Sequence, residues 1–454
     1  MKDLLIVNLI LAIFFTVCYT YQFIYILIAL IKEPKKYTSD NRNRYAVIIS
    51  ARNERDVIHN LIDSIKKQNY PAELIDTFVC ADNCTDDTAE RAREAGAIVY
   101  ERFSTEKVGK GHALNYLFHK IFEDYGKEYY NAYLILDADN LLDENYMTEM
   151  NHVFSAGHRI ITSYRNSKNY GTNWISSGYA LWFLREAVYL NNPRMILGTS
   201  CAVSGTGFMV HRDIINKNDG WKHFLLTEDI EFSVDNIING EKIAYAADAM
   251  LYDEQPETFS QSWKQRLRWA KGYLQVFMNY GGRLMKSIGG KGGFSAFDMT
   301  MTTMPAIFLS VIGFFYNVIT LIVAICTKDP HVGLFWGALA MTVAVMYIMY
   351  FAIGVITGVT EWNKILTTKE RKIKSFFTFP LFMFTYIPIS IAALFRKVEW
   401  SQIKHTVAVS INDMNAGKAQ NGKDRSDAGK KDGDADGSAD DENKKDTDEK
   451  EEKK

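Results

Sequence analysis

Two aspartates separated by one residue are the clearest candidates for chemistry in this chain. Asp137 and Asp139 follow an apolar, β-rich run at residues 133–136, so the pair is expected at the end of a strand. Two carboxylates placed in this way suit Mg²⁺ or Mn²⁺ bridged to a diphosphate. An isolated pair of this kind is more often a turn with an aspartate cap. Here the preceding strand and further acidic residues favour a metal site.

A second acidic motif, Thr227-Glu228-Asp229, follows the apolar residues 224–226. Partial shielding by apolar neighbours raises the proton affinity of a carboxylate, so Glu228 and Asp229 are candidates for a catalytic base. The same letters also predict a helix that begins with Thr227 as its cap and carries acids in its first turn. The two interpretations are compatible.

Glycine-rich segments supply candidate contacts to a phosphate or a sugar. Residues 107–115 place Lys110 beside two glycines at an expected helix start, where backbone N–H groups and an ammonium can bind phosphate. A solvated basic loop explains this segment about equally well. Gly207, in Gly205-Thr206-Gly207, would let the backbone approach a sugar closely, although a simple turn explains it too.

The motif Gln265-Arg266-Leu267-Arg268-Trp269 places guanidinium groups beside an indole, a combination that can hold a phosphate and a sugar together. Apolar residues at helical spacing over 263–277 also predict a basic amphipathic helix on an anionic membrane surface. That alternative accounts for Arg266 and Lys271. For Arg268 and Trp269 the binding role is favoured.

Alternating strands and helices would position these residues. Strands are predicted near 45–50, 75–80, 97–100 and 133–136, with helices over 57–65 and from about 86, the latter capped by Thr85. This alternation indicates an α/β fold with a mostly parallel sheet. Because such sheets bind ligands at the carboxyl ends of their strands, Asn53, Glu54 and Asp82 join the candidate site.

Long apolar segments flank this region in a chain of 454 residues with 47% hydrophobic content and a formal net charge of -2. Residues 4–31, 296–326 and 332–360 each exceed the roughly 20 residues that a helix needs to cross a bilayer. Residues 376–395 contain two prolines and are interpreted as re-entrant or interfacial. Five cations within residues 362–375 predict that this loop, and the α/β domain with it, is cytoplasmic.

The predicted organisation has five parts. They are a transmembrane helix at 1–36, an α/β domain at 37–255, amphipathic interfacial helices at 256–295, a transmembrane region at 296–400 and a charged, disordered tail at 401–454. The five cysteines include no C-x-x-C pair, so reduced structural thiols are expected.

The order of Asp82, Asp137-Ala138-Asp139, Thr227-Glu228-Asp229 and Gln265-Arg266-Leu267-Arg268-Trp269 resembles the membrane-bound family 2 glycosyltransferases. These include cellulose, chitin, hyaluronan and poly-N-acetylglucosamine synthases. The resemblance covers about residues 4–400. It implies a GT-A domain, Rossmann-like with a mostly parallel sheet, that uses a UDP-sugar and Mg²⁺ or Mn²⁺ to extend a β-linked polymer in a multi-pass cell-membrane protein.

Carried over motif by motif, the resemblance implies a role for each residue. Asp82 would contact the nucleotide, Asp137 and Asp139 would bind metal and diphosphate, and Asp229 would be the base, while Gln265, Arg268 and Trp269 would hold the pyrophosphate and the acceptor sugar.

The partners expected are the UDP-sugar, a glycan or lipid acceptor, membrane lipids, and a homo-oligomer or an export partner. No nucleic-acid partner is expected. Two alternatives to polymer synthesis stay open, namely a nonprocessive transferase with a membrane lipid acceptor and an inactive scaffold subunit.

Overall fold

The structure, a computed structural model, describes residues 2–290, 292–303, 305–399, 405 and 407–416. Its strands are β1 (Tyr45–Ala51), β2 (Ile75–Asp82), β3 (Ile98–Arg102), β4 (Ala132–Asp137), β5 (Leu141–Leu142), β6 (Ile160–Ser167), β7 (Phe208–His211) and β8 (Ile243–Asp253). They form one sheet in the order β3-β2-β1-β4-β7-β6-β8-β5. The first four strands run parallel to their neighbours among themselves, whereas β7 is antiparallel to both β4 and β6.

Two groups of helices surround this sheet and continue beyond it. Those within the α/β region are α2 (Ile58–Lys66), α3 (Thr88–Glu94), α4 (Lys110–Tyr125), α5 (Tyr146–Ser155), α6 (Trp174–Glu186), α7 (Asn192–Leu197), α8 (Arg212–Lys217) and α9 (Glu228–Ile238). The others are α1 (Lys2–Ile31), α10 (Phe259–Ser287), α11 (Gly293–Thr303), α12 (Pro305–Cys326), α13 (Val332–Thr360), α14 (Lys369–Phe384) and α15 (Tyr386–Phe395). A 3₁₀ turn (Ala72–Leu74) precedes β2, and a π-helix (Ala187–Asn191) links α6 to α7.

The register of β1 explains why the predicted rim forms. Six of its seven residues are buried, as expected for a strand covered on both faces. Ser50, next to its end, lies opposite Asp137 of β4 and Cys80 of β2. The carboxyl ends of three parallel strands therefore meet at one edge of the sheet.

The four predicted strands are confirmed, but the predicted cap of the helix after β2 was wrong. Asp87, not Thr85, precedes α3. The backbone N–H and the hydroxyl of Thr85 instead donate to Asn53 Oδ1 at 2.8 and 3.3 Å. A longer loop therefore separates β2 from its helix. Gly96 does close that helix, with φ of +88°, where glycine is favoured.

Within the described residues, three helical segments are long and apolar enough to cross a membrane, namely Ile6–Ile31, Val332–Thr360 and Lys369–Phe395. The predicted run 296–326 is instead divided between α11 and α12. Its first part packs on the α/β region, because Asp298 of α11 is buried and ion-paired with Arg194 of α7. The second part, α12, is an apolar helix of 22 residues, Pro305–Cys326. That residues 376–395 are re-entrant stays a prediction.

One buried ion pair, with two tyrosines of α1, ties α1 and α11 to the α/β region. Arg194 of α7 donates from Nε and Nη2 to the two oxygens of Asp298, each at 2.7 Å. Tyr21 and Tyr25 of α1 donate their hydroxyls to the same carboxylate at 2.9 and 2.8 Å. Elements from three parts of the sequence thus share one carboxylate.

The segment after α15 differs from the prediction of a disordered tail beginning at residue 401. Residues 411–416 are helical, and Ile411 and Met414 are buried against Leu141 and Tyr252. These two apolar side chains give the segment a surface to bury, which the charged stretch beyond it lacks. The rest of the predicted tail, residues 417–454, lies outside the described residues.

We expect Asp298→Asn to destabilise the protein, because it leaves the Arg194 guanidinium buried without its counter-charge. Removing one partner of such a pair costs about 3–5 kcal/mol. Thermal unfolding of the purified protein in detergent measures this as a large fall in Tm. Glu399→Gln is the control, since Glu399 is exposed and lies 3.8 Å from Lys397. Equal Tm values for the two variants would refute the anchoring role.

Candidate active site

A cavity of about 200 Å³ lies at the carboxyl rim of the sheet and gathers most of the predicted site residues. The predicted residues that line it are Glu54, Asp82, Lys110, Asp137, Asp139, Glu228, Asp229, Gln265, Arg268 and Trp269. They come from strand ends, from the first turns of α4 and α9, and from α10. Residues 54 and 269 are far apart in sequence, so the fold has to be complete before the cavity exists.

The two aspartates after β4 differ in their surroundings. Asp139 is buried, and its Oδ2 accepts from the backbone N–H of Glu254 at 3.1 Å. Asp137 is about one-third exposed, and its carboxylate contacts the ammonium of Lys110. The backbone N–H of Asp137 donates to Thr206 Oγ1 at 2.8 Å, which fixes the backbone at the end of β4. Asp139 is therefore fixed by a backbone hydrogen bond, while Asp137 is partly exposed at the cavity.

Lys110, the predicted phosphate contact, bridges two walls of the site. Besides contacting Asp137, its ammonium donates to the carbonyl oxygen of Gly205 at 2.8 Å. Burial disfavours the charge, yet the carboxylate of Asp137 outweighs this effect and raises the pKa of Lys110. Gly109, with φ of +133°, precedes the helix at the position where a side chain would be strained. A fixed cation thus faces the cavity from the start of α4.

Asp82 is held by a cation that the sequence did not single out. The guanidinium of Arg102, at the end of β3, contacts Asp82 Oδ1, and both residues are buried. Arg102 also donates to the carbonyl oxygen of Lys107 at 2.6 Å, so it links β2 to the loop before α4. Asp82 itself lines the cavity.

Glu228 and Asp229 occupy the first turn of α9, as predicted. Burial raises the pKa of Asp229, although backbone N–H groups and the ammonium of Lys110 oppose this shift. Burial likewise raises the pKa of Glu228 against the charges of Lys110 and Arg268. Thr227 precedes the helix but makes no capping hydrogen bond, and its hydroxyl is buried without a partner in the described structure. The acids therefore form a shielded pair suited to accepting a proton.

Gln265, Arg268 and Trp269 lie on one face of α10, over the cavity. Gln265 Oε1 and Arg268 Nε are both buried, and neither has a hydrogen-bond partner among the described residues. Buried polar atoms are rarely left unpaired in a finished structure. The indole of Trp269 packs edge-on against the rings of Tyr179 and Phe183, at 5.7 and 6.1 Å between centroids. These two unpaired groups point to a polar ligand.

The membrane-surface interpretation of Arg266 and Lys271 was wrong. Arg266 is fully buried and donates to the carbonyl oxygen of Phe382 at 3.2 Å and to Thr385 Oγ1 at 2.6 Å. Lys271 donates to the carbonyl oxygen of Ala393 at 3.0 Å. Both cations satisfy backbone groups near the ends of α14 and α15. They attach α10 to the apolar helices and do not face a lipid surface.

His405 enters the cavity from the C-terminal segment, which sequence reasoning placed in the tail. Its Nδ1 lies 3.0 Å from both oxygens of Glu54, and its Nε2 lies 4.0 Å from Asp139 Oδ2. Burial disfavours the imidazolium, but the two carboxylates outweigh it and raise the pKa of His405 to about 10. Burial raises the pKa of Glu54 to about 7 despite this cation. Within a predicted tail, a lone histidine carries no signal of such a contact.

Arg165 and Asp253 were also missed. Arg165 Nε donates to Asp253 Oδ2 at 2.9 Å, and its Nη1 donates to the carbonyl oxygen of Ser204 at 2.9 Å. Burial raises the pKa of Asp253 to about 6, against the charge of Arg165. Both residues lie near the ends of β6 and β8, two strands that the sequence pattern did not predict. The strand-end rule would have found them once those strands were recognised.

Two predicted substrate contacts do not line the cavity. Asn53 uses its side-chain oxygen to hold the loop of Thr85, and its φ of +53° marks a tight turn. The N–H of Gly207 donates to the carbonyl oxygen of Ile135 at 3.0 Å, and a β-carbon built at this position would clash with Leu251 and Ser163. Glycine is required at 207 because a side chain has no room there; that it contacts a sugar stays a prediction.

Comparison with known proteins identifies the family. The model of the glycosyltransferase-like family 2 matches residues 42–272, which is just over half of the chain. This chain belongs to that family. It is a glycosyltransferase that acts on a sugar donor, and the scaffold alternative is therefore set aside.

Three relatives show the range of the family. "Probable glycosyltransferase YdaM" of Bacillus subtilis is 24% identical over 80% of this chain and 85% of that protein. The beta-monoglucosyldiacylglycerol synthase of Synechocystis is 22% identical over 52% of this chain. The poly-beta-1,6-N-acetyl-D-glucosamine synthase of Staphylococcus aureus is 23% identical over 51% of this chain. The chain spans about half the length of the last two, 48% and 55%.

A solved structure confirms the expected GT-A fold. The mannosyltransferase PcManGT from Pyrobaculum calidifontis, in complex with GDP-Man and Mn²⁺, superposes with a TM-score of 0.52 at 15% identity. The match covers 86% of this chain and 99% of that one. The two proteins therefore share the expected architecture over almost the whole length of the solved structure.

We expect sugar transfer to fail in acid at a higher pH than ordinary carboxyl groups would cause. A base must be ionised, and burial raises the pKa of both Asp229 and Glu228, so activity is present above these raised values and is lost as pH falls through them. The profile of kcat/KM against pH gives the midpoint. A midpoint at or below about 4, the ordinary value for such groups, would contradict the shielded pair.

Proposed function

We propose that the protein transfers a hexose or N-acetylhexosamine from a UDP-sugar to a growing β-linked polysaccharide, inverting the configuration at the anomeric carbon. One observation carries this proposal. A shielded carboxylate, Asp229, lines the same small cavity as the unpaired polar atoms of Gln265 and Arg268. A base and two unpaired polar groups that line one cavity suit direct transfer between two bound substrates.

The chemistry balances with one base. Asp229 accepts the proton of the acceptor hydroxyl as its oxygen bonds to the anomeric carbon, and the bond from that carbon to the diphosphate oxygen breaks. The nucleoside diphosphate leaves with the bonding electrons. A single displacement of this kind inverts the configuration. General-base assistance is typically worth roughly 10²- to 10⁴-fold, so charge stabilisation by Lys110 and Arg268 has to supply more.

Asp137 and Asp139 fit a divalent cation shared with the donor. Among the described residues, no group of three or more histidine, cysteine or acidic side chains is arranged to hold a metal by itself. Two carboxylates plus phosphate oxygens are the usual ligands of Mg²⁺ in such sites. When bound, Mg²⁺ or Mn²⁺ would stabilise negative charge on the diphosphate. The ammonium beside Asp137 lies where it can neutralise the same charge.

The acceptor side of the cavity favours a sugar. Trp182, Phe183, Trp269 and Tyr273 line it, and aromatic rings offer flat apolar faces beside the polar groups that a sugar requires. Glu186, also in the lining, would accept hydrogen bonds from hydroxyl groups. Trp182, Phe183 and Glu186 belong to α6, which packs against α14, and the other two belong to α10, which packs against α15. A glycan end bound on these rings would present its hydroxyl to the base.

A membrane lipid is the second candidate acceptor. The glycolipid synthase of Synechocystis and the polysaccharide synthase of Staphylococcus match this chain at nearly the same identity, 22% and 23%. The cavity adjoins helices that attach to apolar segments, so a lipid hydroxyl could also reach it. The apolar helices that follow α10 in the described residues are α12 to α15, and a polymer channel built from so few helices would need a second copy of the chain or a partner protein.

The cell membrane, with the catalytic region on its cytoplasmic side, is the proposed location. Lys364, Lys369, Arg371, Lys372 and Lys374 cluster between α13 and the body of α14. Such clusters favour the cytoplasmic side, where UDP-sugars are expected to be available.

Isolated membranes incubated with a panel of labelled UDP-sugars test the function. For polysaccharide synthesis we expect one donor to give a ladder or high-mass product that linkage-specific hydrolases digest. A single lipid-soluble spot on thin-layer chromatography would instead establish the lipid acceptor. Asp229→Asn should abolish either product while donor affinity changes little, because only the proton acceptor is removed. Asp248→Asn, at an exposed position of β8, is the matched control and should keep full activity.

Chelation tests the metal. We expect EDTA to abolish transfer and excess Mg²⁺ or Mn²⁺ to restore it, because the two aspartates lose the ion that neutralises the diphosphate. Titration of UDP by calorimetry, with and without metal, provides a readout apart from turnover and should show weaker binding without it. Full activity in EDTA would exclude the proposed role of Asp137 and Asp139.

A further inference from the structure

A second cavity, remote from the rim of the sheet, lies between the start of α6 and the cationic end of α14. It encloses about 580 Å³. We call it the α14 cavity. It is lined by Tyr170, Gly171, Thr172, Asn173, Trp174, Ser177, Arg371, Lys374, Ser375, Thr378 and Leu381. None of these residues lines the candidate active site.

The positive charge in this cavity is not neutralised by the protein. Arg371 and Lys374 are both exposed, and no carboxylate in the described part of the chain lies within 4.0 Å of either. Lys372, between them, is buried and donates to the carbonyl oxygen of Trp362 at 2.8 Å. The helix therefore uses one cation for its own packing and presents the other two to the cavity.

The facing loop brings the guanidinium into the cavity. Gly171 has no side chain, and a β-carbon built there would clash with Thr367 and lie 3.4 Å from Arg371 Nη1. The loop backbone and the arginine thus lie close together. Thr172, Ser177 and Thr378 also line the cavity, and the hydroxyls of Ser177 and Thr378 donate to the carbonyl oxygens of Asn173 and Ser375. Two cations whose charge no described carboxylate neutralises suit a phosphate group.

The wall of the cavity changes from polar to apolar along α14. Arg371, Lys374, Thr378 and Leu381 follow one another at three- and four-residue intervals, which places them along one stripe of the helix. At 1.5 Å per residue, Leu381 lies roughly 10 Å beyond Lys374. Leu381 is exposed, and the helix belongs to the segment Lys369–Phe395, which is apolar and long enough to span.

Trp174 also lines the α14 cavity. Its indole is 37% exposed at the edge of the cavity, and tryptophan is enriched where membranes meet water. The two cations, with an apolar side chain farther along the same helix, match the headgroup and an acyl chain of a phospholipid.

We propose that the α14 cavity binds an anionic phospholipid, with its phosphate between Arg371 and Lys374 and an acyl chain along Leu381. Cations at the end of a spanning helix also orient it in the membrane, but orientation needs neither a cavity nor an aligned apolar stripe. This site is separate from sugar transfer, so it stands or falls independently of the proposed acceptor.

Binding of short-chain lipids to the full-length protein in neutral detergent tests the proposal. Dihexanoyl phosphatidylglycerol, dihexanoyl phosphatidylcholine and inorganic phosphate are titrated separately by calorimetry. We expect phosphatidylglycerol to bind more tightly than the other two. Arg371→Gln with Lys374→Gln should weaken it roughly 25-fold, since each cation near a membrane surface contributes about fivefold.

Lys35→Gln with Lys36→Gln is the matched control. It removes two exposed cations after α1 that line no described cavity, and it should leave the affinity unchanged. Equal weakening by both pairs would show general charge attraction and overturn the site. Equal affinity for phosphatidylglycerol and phosphatidylcholine, or for inorganic phosphate and phosphatidylglycerol, would overturn it in the wild-type protein, without any variant having to fold.

Discussion

Neutralising carboxylates at one edge of a sheet, most of them buried, is the constraint on which this structure depends. Four acidic residues there each contact one cation, in the pairs Glu54–His405, Asp82–Arg102, Asp137–Lys110 and Asp253–Arg165. Taking an ionised carboxylate out of water costs several kcal/mol unless a partner compensates. The partners come from β3, α4, β6 and the C-terminal segment. The site is consequently stable only when distant parts of the chain are in place together.

That constraint also separates what the sequence could predict from what it could not. Asp82, Asp137 and Asp139 were predictable because each follows an apolar strand, and a strand with its terminal residue is a local pattern. The cation beside each acid is not local, since Lys110 is 27 residues from Asp137 and His405 is 351 residues from Glu54. No spacing rule connects such partners. Only the sheet order brings them together.

The α10 motif shows a different limit. Basic residues at helical spacing predicted a membrane-facing surface, whereas Arg266 and Lys271 bind backbone carbonyl groups of α14 and α15. Every residue has a carbonyl group, so a partner of this kind leaves no trace in the sequence. Burial of Leu267 against Ile389 and Ala393 adds apolar contact to the same interface. The helix α10 is therefore amphipathic as predicted, but its residues pack against other helices of the protein.

Arg266 and Arg268 are two residues apart on a single helix of 29 residues. Two steps along an α-helix turn the side chain through about 200°, which places one guanidinium against α14 and the other over the cavity. The helix thus fixes the position of the site relative to the apolar helices. Inserting one residue between the two arginines would rotate one of them by about 100°. Either the contact of Arg266 with α14 or the position of Arg268 over the cavity would then be lost. The spacing between the two arginines is therefore set by the geometry of the helix as well as by their chemistry.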